Sequence, residues 1–494
     1  MRWRRPGPGG SEAEEGLRRG LQALAGRASA SPDALERILA RDTAPTPTPA
    51  VATDRRRLRL GVGAGVGVGV AAAVAAAAAV LALVLAPSPR PTRVVSSAPT
   101  VRALTPVAWV AGGRLHVAMP GRTPRTVAAA GQPENPEWSV DHHWLAYLDA
   151  DHHQVHVAGP DGTGDRAVGP DGVGRGGYTW SPGGDQLAVV PRSGGVVVVS
   201  MPSGLETTVV AGAVPVESVA WSRDGGRLAY TTPAAPGRPA HVVVVTAGGG
   251  GSAQVVPLAL PPGSDVLLAG WWPDGTGLIY WVDPGGSADA LDNGLPLLSA
   301  PLAGGPSRLL AVTLVFHPWI SWSPDGTRLL LVAGAGQSPA TGKSLVVCDT
   351  AGTACRPLPQ PAGTVALDAA WSPDGTEIAL VRAPDIGPGH HVGPAWYAQR
   401  RLWVEAPDGS DAFTLAGGGA GVAQPVWSAD GRSIGYSLGS GFEVIPVSGG
   451  HPTVIASGLT GGNDGTAGPD AAGKQPWGAA AVWGGRAGFE SYGG

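Results

Sequence analysis

Apolar positions fall into three regimes along the chain. From Leu60 to Ala86 they run continuously (LGVGAGVGVGVAAAVAAAAAVLALVLA), without one charged residue. As a helix rising about 1.5 Å per residue, this stretch is long enough to cross a hydrocarbon core of about 30 Å. Upstream the period is helical: Leu17, Leu21 and Leu24 share a face within residues 11–29, and Ser31-Pro32-Asp33 would cap a second helix through Leu35, Ile38 and Leu39. A Pro-rich spacer (TPTPA, residues 46–50) follows. Beyond about residue 105 the apolar runs become short and β-branched, as at 196–199, 242–245 and 345–347, with Gly-, Pro- and Asp-rich turns between them. That pattern predicts strands.

The strand region repeats itself. Its recurring core reads Trp138-Ser-Val-Asp-His-His-Trp-Leu-Ala-Tyr, Trp180-Ser-Pro-Gly-Gly-Asp-Gln-Leu-Ala-Val and Trp221-Ser-Arg-Asp-Gly-Gly-Arg-Leu-Ala-Tyr. It continues at Trp272-Pro-Asp-Gly, Trp322-Ser-Pro-Asp-Gly, Trp371-Ser-Pro-Asp-Gly and Trp427-Ser-Ala-Asp-Gly, seven copies at intervals of 41 to 56 residues. Each copy is followed by two further short apolar runs, so four strands fit each repeat, the size of a propeller blade. Asp-Gly closes a tight hairpin because Gly tolerates positive φ, and the Trp is large enough to fill the gap between blades. Over roughly residues 105–460 the chain resembles the TolB-like β-propeller family, whose hallmark is the repeated W-S-P-D-G turn. The first unit departs from that pattern at Val140 and His142, the second at Gly183.

The expected fold is therefore an all-β propeller of seven or eight four-stranded blades. The ends favour eight: Val107–Val110, Leu115–Met119 and Thr126–Ala129 read as the outer three strands of a blade that lacks its first, and AAAVW (479–483) would supply it. The layout is a cytoplasmic tail with two short helices (1–59), a transmembrane helix (60–86), a Pro-rich stalk (87–104), the propeller (105–484) and a C-terminal tail (485–494).

Composition sharpens this picture. The 78 Gly and 48 Pro, with only 15% charged residues, suit a turn-dense β protein. A net charge of −4 leaves no basic field for nucleic acid. Arg55, Arg56, Arg57 and Arg59 precede the apolar span, against sparser Arg90, Arg93 and Arg102 after it. The positive-inside rule then places the N-terminus in the cytoplasm and the propeller outside a cell membrane. A secretory signal is the rival, but its charged leader would be some sixty residues long. Lys343 and Lys474 are the only lysines, as in a GC-rich, bacterial genome. Gly61, Gly65 and Gly69 would let two spans approach as a homodimer, or reflect Gly/Ala bias alone.

Candidate chemistry is sparse. The turn aspartates Asp224, Asp274, Asp325, Asp374 and Asp430 recur at one position and read as turn formers, not catalytic pairs. His142 and His143 lie at the opposite end of their blade from His152 and His153, and His153 with His156 is too small a set to close a zinc site, so no metal is expected. Residues 1–100 hold neither His nor Cys. Cys348 and Cys355, the only cysteines, flank a turn and suggest a cross-hairpin disulfide in an oxidising compartment. No nucleophile elbow, Walker loop or dinucleotide fingerprint is present, and no cofactor is implied.

Two function classes follow: a membrane-anchored extracytoplasmic binding or scaffold protein engaging a protein, peptide or envelope glycan, which is favoured, and a propeller enzyme acting on envelope glycans. The longest departures from the repeat, Asp283–Gly294, Gly334–Lys343 and Ala383–Arg401, all fall between second and third strands and should rise on one face. The third carries His390, His391, Trp396, Tyr397, Arg400 and Arg401, residue types enriched at interaction hot spots. The other reading of that segment is a lid packed on its own blade, with Trp396 filling space.

Overall fold

The structure, a computed structural model, describes residues 106–457 apart from 119–121, 130, 237–238, 285–293, 317–318, 337, 350–351, 353, 391, 418–420 and 440, together with 482–483. The tail, the apolar span 60–86 and the stalk lie outside these residues. Among the described residues no helix is long and apolar enough to cross a membrane.

Eight four-stranded antiparallel sheets form the blades of a propeller. In blade 1 the strands Val107–Ala111, Arg114–Ala118 and Arg125–Thr126 are completed on the inside by Val482–Trp483. Val107 pairs with Trp483 and Ala108 with Val482, so a strand from the far end of the chain closes the ring at eight blades. Blades 2 to 8 each run outward from an inner strand: Pro133–Trp138, Val173–Trp180, Ser218–Trp221, Asp265–Trp271, Ile320–Trp322, Thr364–Trp371 and Val422–Trp427.

Each sheet buries both faces against neighbours, and the core is distributed accordingly. One cluster joins blades 8 and 1 (Val107, Trp109, Phe442, Val444), another joins blades 1 and 2 (Leu115, Val117, Trp138, Tyr147), and a large one spans blades 6 to 8. This two-sided burial explains why the second and third strands read as unbroken apolar runs rather than as alternating ones.

The repeat motif builds the joints. The Nε1–H of the inner-strand Trp donates to the main-chain carbonyl one residue before the corresponding Trp of the preceding blade: Trp180 to Glu137, Trp221 to Thr179, Trp271 to Ala220, Trp371 to Ser321 and Trp427 to Ala370, at 3.1–3.2 Å. Arginines supply a contact in the other direction, Arg227 lying 5.0 Å from the Trp271 ring and Arg328 4.9 Å from that of Trp371. In the turn, the buried Ser hydroxyl donates to the Asp carboxylate and accepts the N–H five residues on, as with Ser372, Asp374 and Glu377 at 2.6 and 2.9 Å. The recurring aspartates are thus held by their own turns, and the Ser323 hydroxyl together with Thr327 draws the Asp325 carboxyl down to about 2.

Two units depart from expectation in instructive ways. In blade 5 the structural equivalent of the repeat Trp is Trp271, not Trp272: Trp271 makes the inter-blade bond, while Trp272 takes the place of the Ser. A Cβ at Gly277 would lie 2.3 Å from the Trp272 ring, so the larger side chain is accommodated by a missing one. In blade 2, His142 occupies the position of the turn Gly at φ 59°, where the glycines of the other turns lie between 67° and 77°.

Candidate binding site over blades 6 to 8

The a–b turns carrying the repeat motif lie at one end of blades 2 to 8, so the b–c loops and the blade-to-blade connections lie at the other, here called the upper face. Inner strands approach that face through irregular backbone. Those of blades 2, 3, 5, 7 and 8 shift register there. In blades 2, 7 and 8 the residue three before the repeat Trp is left-handed although it is not glycine: Asn135 at φ 48°, Asp368 at 41° and Gln424 at 51°. Such a conformation costs roughly 1–2 kcal/mol per residue and persists only where neighbours enforce it.

At Asp368 the neighbours are identifiable. Its Oδ1 accepts the Nε1–H of Trp319 from blade 6 at 2.8 Å, and its Oδ2 accepts the main-chain N–H of Gln424 from blade 8 at 3.1 Å. One buried carboxylate therefore ties three consecutive blades together at their inner edge.

Above it, two b–c loops are joined. Thr341 Oγ1 donates to Gly387 O (2.9 Å), Gly342 N–H to Asp385 Oδ2 (3.1 Å) and Ile386 N–H to Ala340 O (3.1 Å). Lys343, fully enclosed, holds the blade 6 loop in shape by donating Nζ–H to the carbonyls of Ala335, Gly336 and Thr341 at 2.8–3.3 Å. The loops at Gly334–Lys343 and Ala383–Arg401 thus form one surface, while most of Asp283–Gly294 lies outside the described residues.

The residues singled out in the second loop do not form an exposed cluster. His390 is exposed, and His391 lies outside the described residues. Trp396, in the one-turn helix Pro394–Tyr397, is turned inward at 4% exposure, with Nε1–H donated to Pro384 O at 2.8 Å and its ring edge-on to Tyr397. Tyr397 is half-buried, and burial raises its hydroxyl pKa against the opposing pull of Arg400. Arg401 is half-buried and donates from Nη1 to Ala398 O and Arg400 O. Arg400 has no exposed surface at all. Its guanidinium lies 4.8 Å from the Tyr397 ring, and none of its three nitrogens has a hydrogen-bond acceptor. Burial lowers its pKa, opposed by the charge of Asp368 and by Tyr397. The segment is a packed lid, and Trp396 and Arg400 face its underside.

Two buried charges in blade 7, and a half-buried one in blade 2, escaped the sequence reading. Arg382 and Glu405, on adjacent strands of blade 7, pair inside the blade, with Arg382 Nε and Nη1 and Glu405 Oε1 left without partners. Burial raises the Glu405 pKa despite the neighbouring guanidinium. Glu137, on the inner strand of blade 2, has its carboxyl pushed up to about 8 by burial, which the main-chain N–H of Trp180 only partly offsets. Beside it Tyr178 donates its hydroxyl to Asn135 O. For Arg382 the signal was a single charge interrupting an apolar strand, IALVRAP, whereas Glu137 in PENPEW and Glu405 at the end of RLWVE gave none.

The clustered histidines are spent locally, His143 on Asp141 (2.8 Å), His152 on Asp149 (2.6 Å) and His156 on Asp165 (3.3 Å). Among the described residues no three His, Cys, Asp or Glu groups converge as metal ligands. Cys348 and Cys355 sit directly opposite each other on paired strands of blade 6 and are joined as a disulfide.

No protein-family model matches the chain, and no curated protein matches it. Among solved structures it is similar to a eukaryotic initiation factor at 12% identity, covering 78% of this chain and 99% of that one, with a TM-score of 0.46. A putative TolB from Agrobacterium tumefaciens aligns at 16% identity over 66% of this chain and 95% of that one, TM-score 0.34. An oligogalacturonate lyase from Vibrio parahaemolyticus aligns at 12% identity over 71% and 96%, TM-score 0.41.

Proposed function

We propose that the protein is a membrane-anchored binding or scaffold protein whose propeller lies outside the cell membrane and engages a protein, peptide or envelope glycan through the upper face of blades 6 to 8. The observation that carries this reading is the union of the two b–c loops: Thr341, Gly342 and Asp385 make one surface from two of the three longest insertions. Ordered loops on a rigid scaffold are where binding surfaces are usually built. The apolar span 60–86 and the arginines before it support the anchored, N-in arrangement.

The experiment is site-specific photo-crosslinking in cells. A crosslinker at exposed His390 should give a discrete adduct, while one at exposed Thr327, in an a–b turn on the opposite face, should give none. Equal labelling at both positions, or none at His390, would move the site elsewhere.

A propeller enzyme acting on cell-envelope glycans is the second reading, favoured by Glu137. A carboxyl that stays protonated to about pH 8 is in the form a general acid needs. Glycan cleavage by the purified protein that is lost in Glu137→Gln would replace the binding reading with this one.

A further inference from the structure

The guanidinium of Arg400 is the least satisfied group among the described residues of the upper face. It is fully enclosed, it carries a charge, and its Nε, Nη1 and Nη2 all lack acceptors. An Arg without acceptors in such a position normally costs several kcal/mol. Two neighbours offset part of this: Asp368, close enough to favour the charged form, and the Tyr397 ring 4.8 Å away. Neither fills the planar fork of donors.

The backbone of blade 8 comes close to the fork without a side chain in between. Gly421 begins the approach to the inner strand of blade 8, and a Cβ there would stand 3.1 Å from Arg400 Nη2 and 3.2 Å from Tyr397 O. Tyr397 and the one-turn helix that carries it cover the guanidinium, and Trp396 pins that helix to Pro384 O.

We infer that Arg400 is the anchor of a carboxylate-binding site beneath this lid, occupied when the Pro394–Tyr397 turn lifts. The chemistry selects the ligand class. A carboxylate presents two coplanar oxygens that match the guanidinium fork in a bidentate pair. A phosphate dianion would call for more positive charge, and the nearby cations are committed: Lys343 to three carbonyls, Arg401 to two, and Arg382 to Glu405. One guanidinium, its charge already partly offset by Asp368, suits at most one singly charged group. The carboxylate could be a polypeptide's or that of an acidic sugar. This deepens the binding reading of the same face and rests on it. It also returns Trp396, Tyr397 and Arg400 to a binding role, in the open state only.

The test is thermal melting of the full-length protein with acetate against chloride at equal ionic strength. At about ten times its dissociation constant, acetate should raise the melting temperature by roughly 2 °C more than chloride does. Arg400→Met should melt no lower than the wild type, because it removes a buried charge without acceptors, and should lose the acetate-specific shift. Tyr397→Ala, which unroofs the site, should bind acetate severalfold more tightly, since the closed lid no longer competes. Alanyl-alanine compared with its amide, and galacturonate, then separate a chain terminus from an acidic sugar. An equal effect of acetate and chloride, or an acetate shift that persists in Arg400→Met, overturns the proposal and leaves a guanidinium that is merely hydrated. Because these probes need no macromolecular partner, their failure does not touch the crosslinking result, nor does failed crosslinking touch theirs.

Discussion

Trp319 donates its indole N–H to Asp368 Oδ1 over 2.8 Å, joining a blade-to-blade connection to the left-handed residue of the next inner strand. The same carboxylate accepts Gln424 N–H, and its charge favours the protonated form of Arg400. A single side chain thus fixes three blades and balances the charge under the lid.

Replacing Asp368 by Ala should therefore be severe. It would strand two buried donors and the Arg400 charge, a loss on the order of 3 kcal/mol. Thermal melting of the full chain checks this, with Arg400→Met introduced as a second change. The double variant should recover part of the loss, because the stranded charge is gone.

His142 offers the opposite sign. At φ 59° it stands where six other turns use Gly. His142→Gly should stabilise by about 1 kcal/mol, the usual cost of a left-handed residue with a Cβ, whereas Gly431→Ala should cost a similar amount. Melting curves of the two variants, displaced in opposite directions, are the expected outcome.

Blade 5 makes a prediction about coupling. Gly277→Arg alone forces a side chain into the Trp272 ring and should cost 2 kcal/mol or more, on the order of an overpacked core. Trp272→Ser with Gly277→Arg restores the Ser-and-Arg arrangement of blade 4, where Arg227 N–H bonds Ser222 Oγ. The double variant should be far less damaged than the sum of the singles, which a double-mutant cycle measures.

How much of this was legible follows from where each interaction sits. The repeat could be read because Trp, Ser and Asp-Gly act within one turn or on the adjacent blade, and so recur. The closing strand was visible as an apolar pentad without a partner. Trp272 misled because the repeat was aligned on W-P-D-G, while the ring that reaches Ala220 O belongs to Trp271. Arg400 read as an exposed anchor because its burial depends on a bulge 32 residues upstream and a glycine 21 downstream, relationships with no local pattern. Asp368 carried the one available hint, a lone charge in the strand TVALDAAW.

Glu137 gives the pH dependence a sign. Its carboxyl ionises at an ordinary 4.5 when unfolded and at about 8 when folded, so between these values the folded state holds the extra proton. Stability should then fall as pH rises from about 4.5 to about 8 and level off above. Glu137→Gln removes that slope, so its advantage over the wild type should grow between pH 5 and pH 8. Parallel melting profiles for the two proteins across that range would contradict the buried, protonated carboxyl.

The geometry of the upper face presupposes a ring closed by Val482–Trp483. The most direct measurement is hydrogen exchange at Val107–Ala111 in the full chain and in a chain ending at residue 457. Closure requires that the truncation strip protection from Ala108 and its neighbours and lower the melting temperature, since the inner edge of blade 1 loses its partner. Unchanged protection of that strand in the shortened chain would mean that the eighth blade is not completed from the C-terminal end.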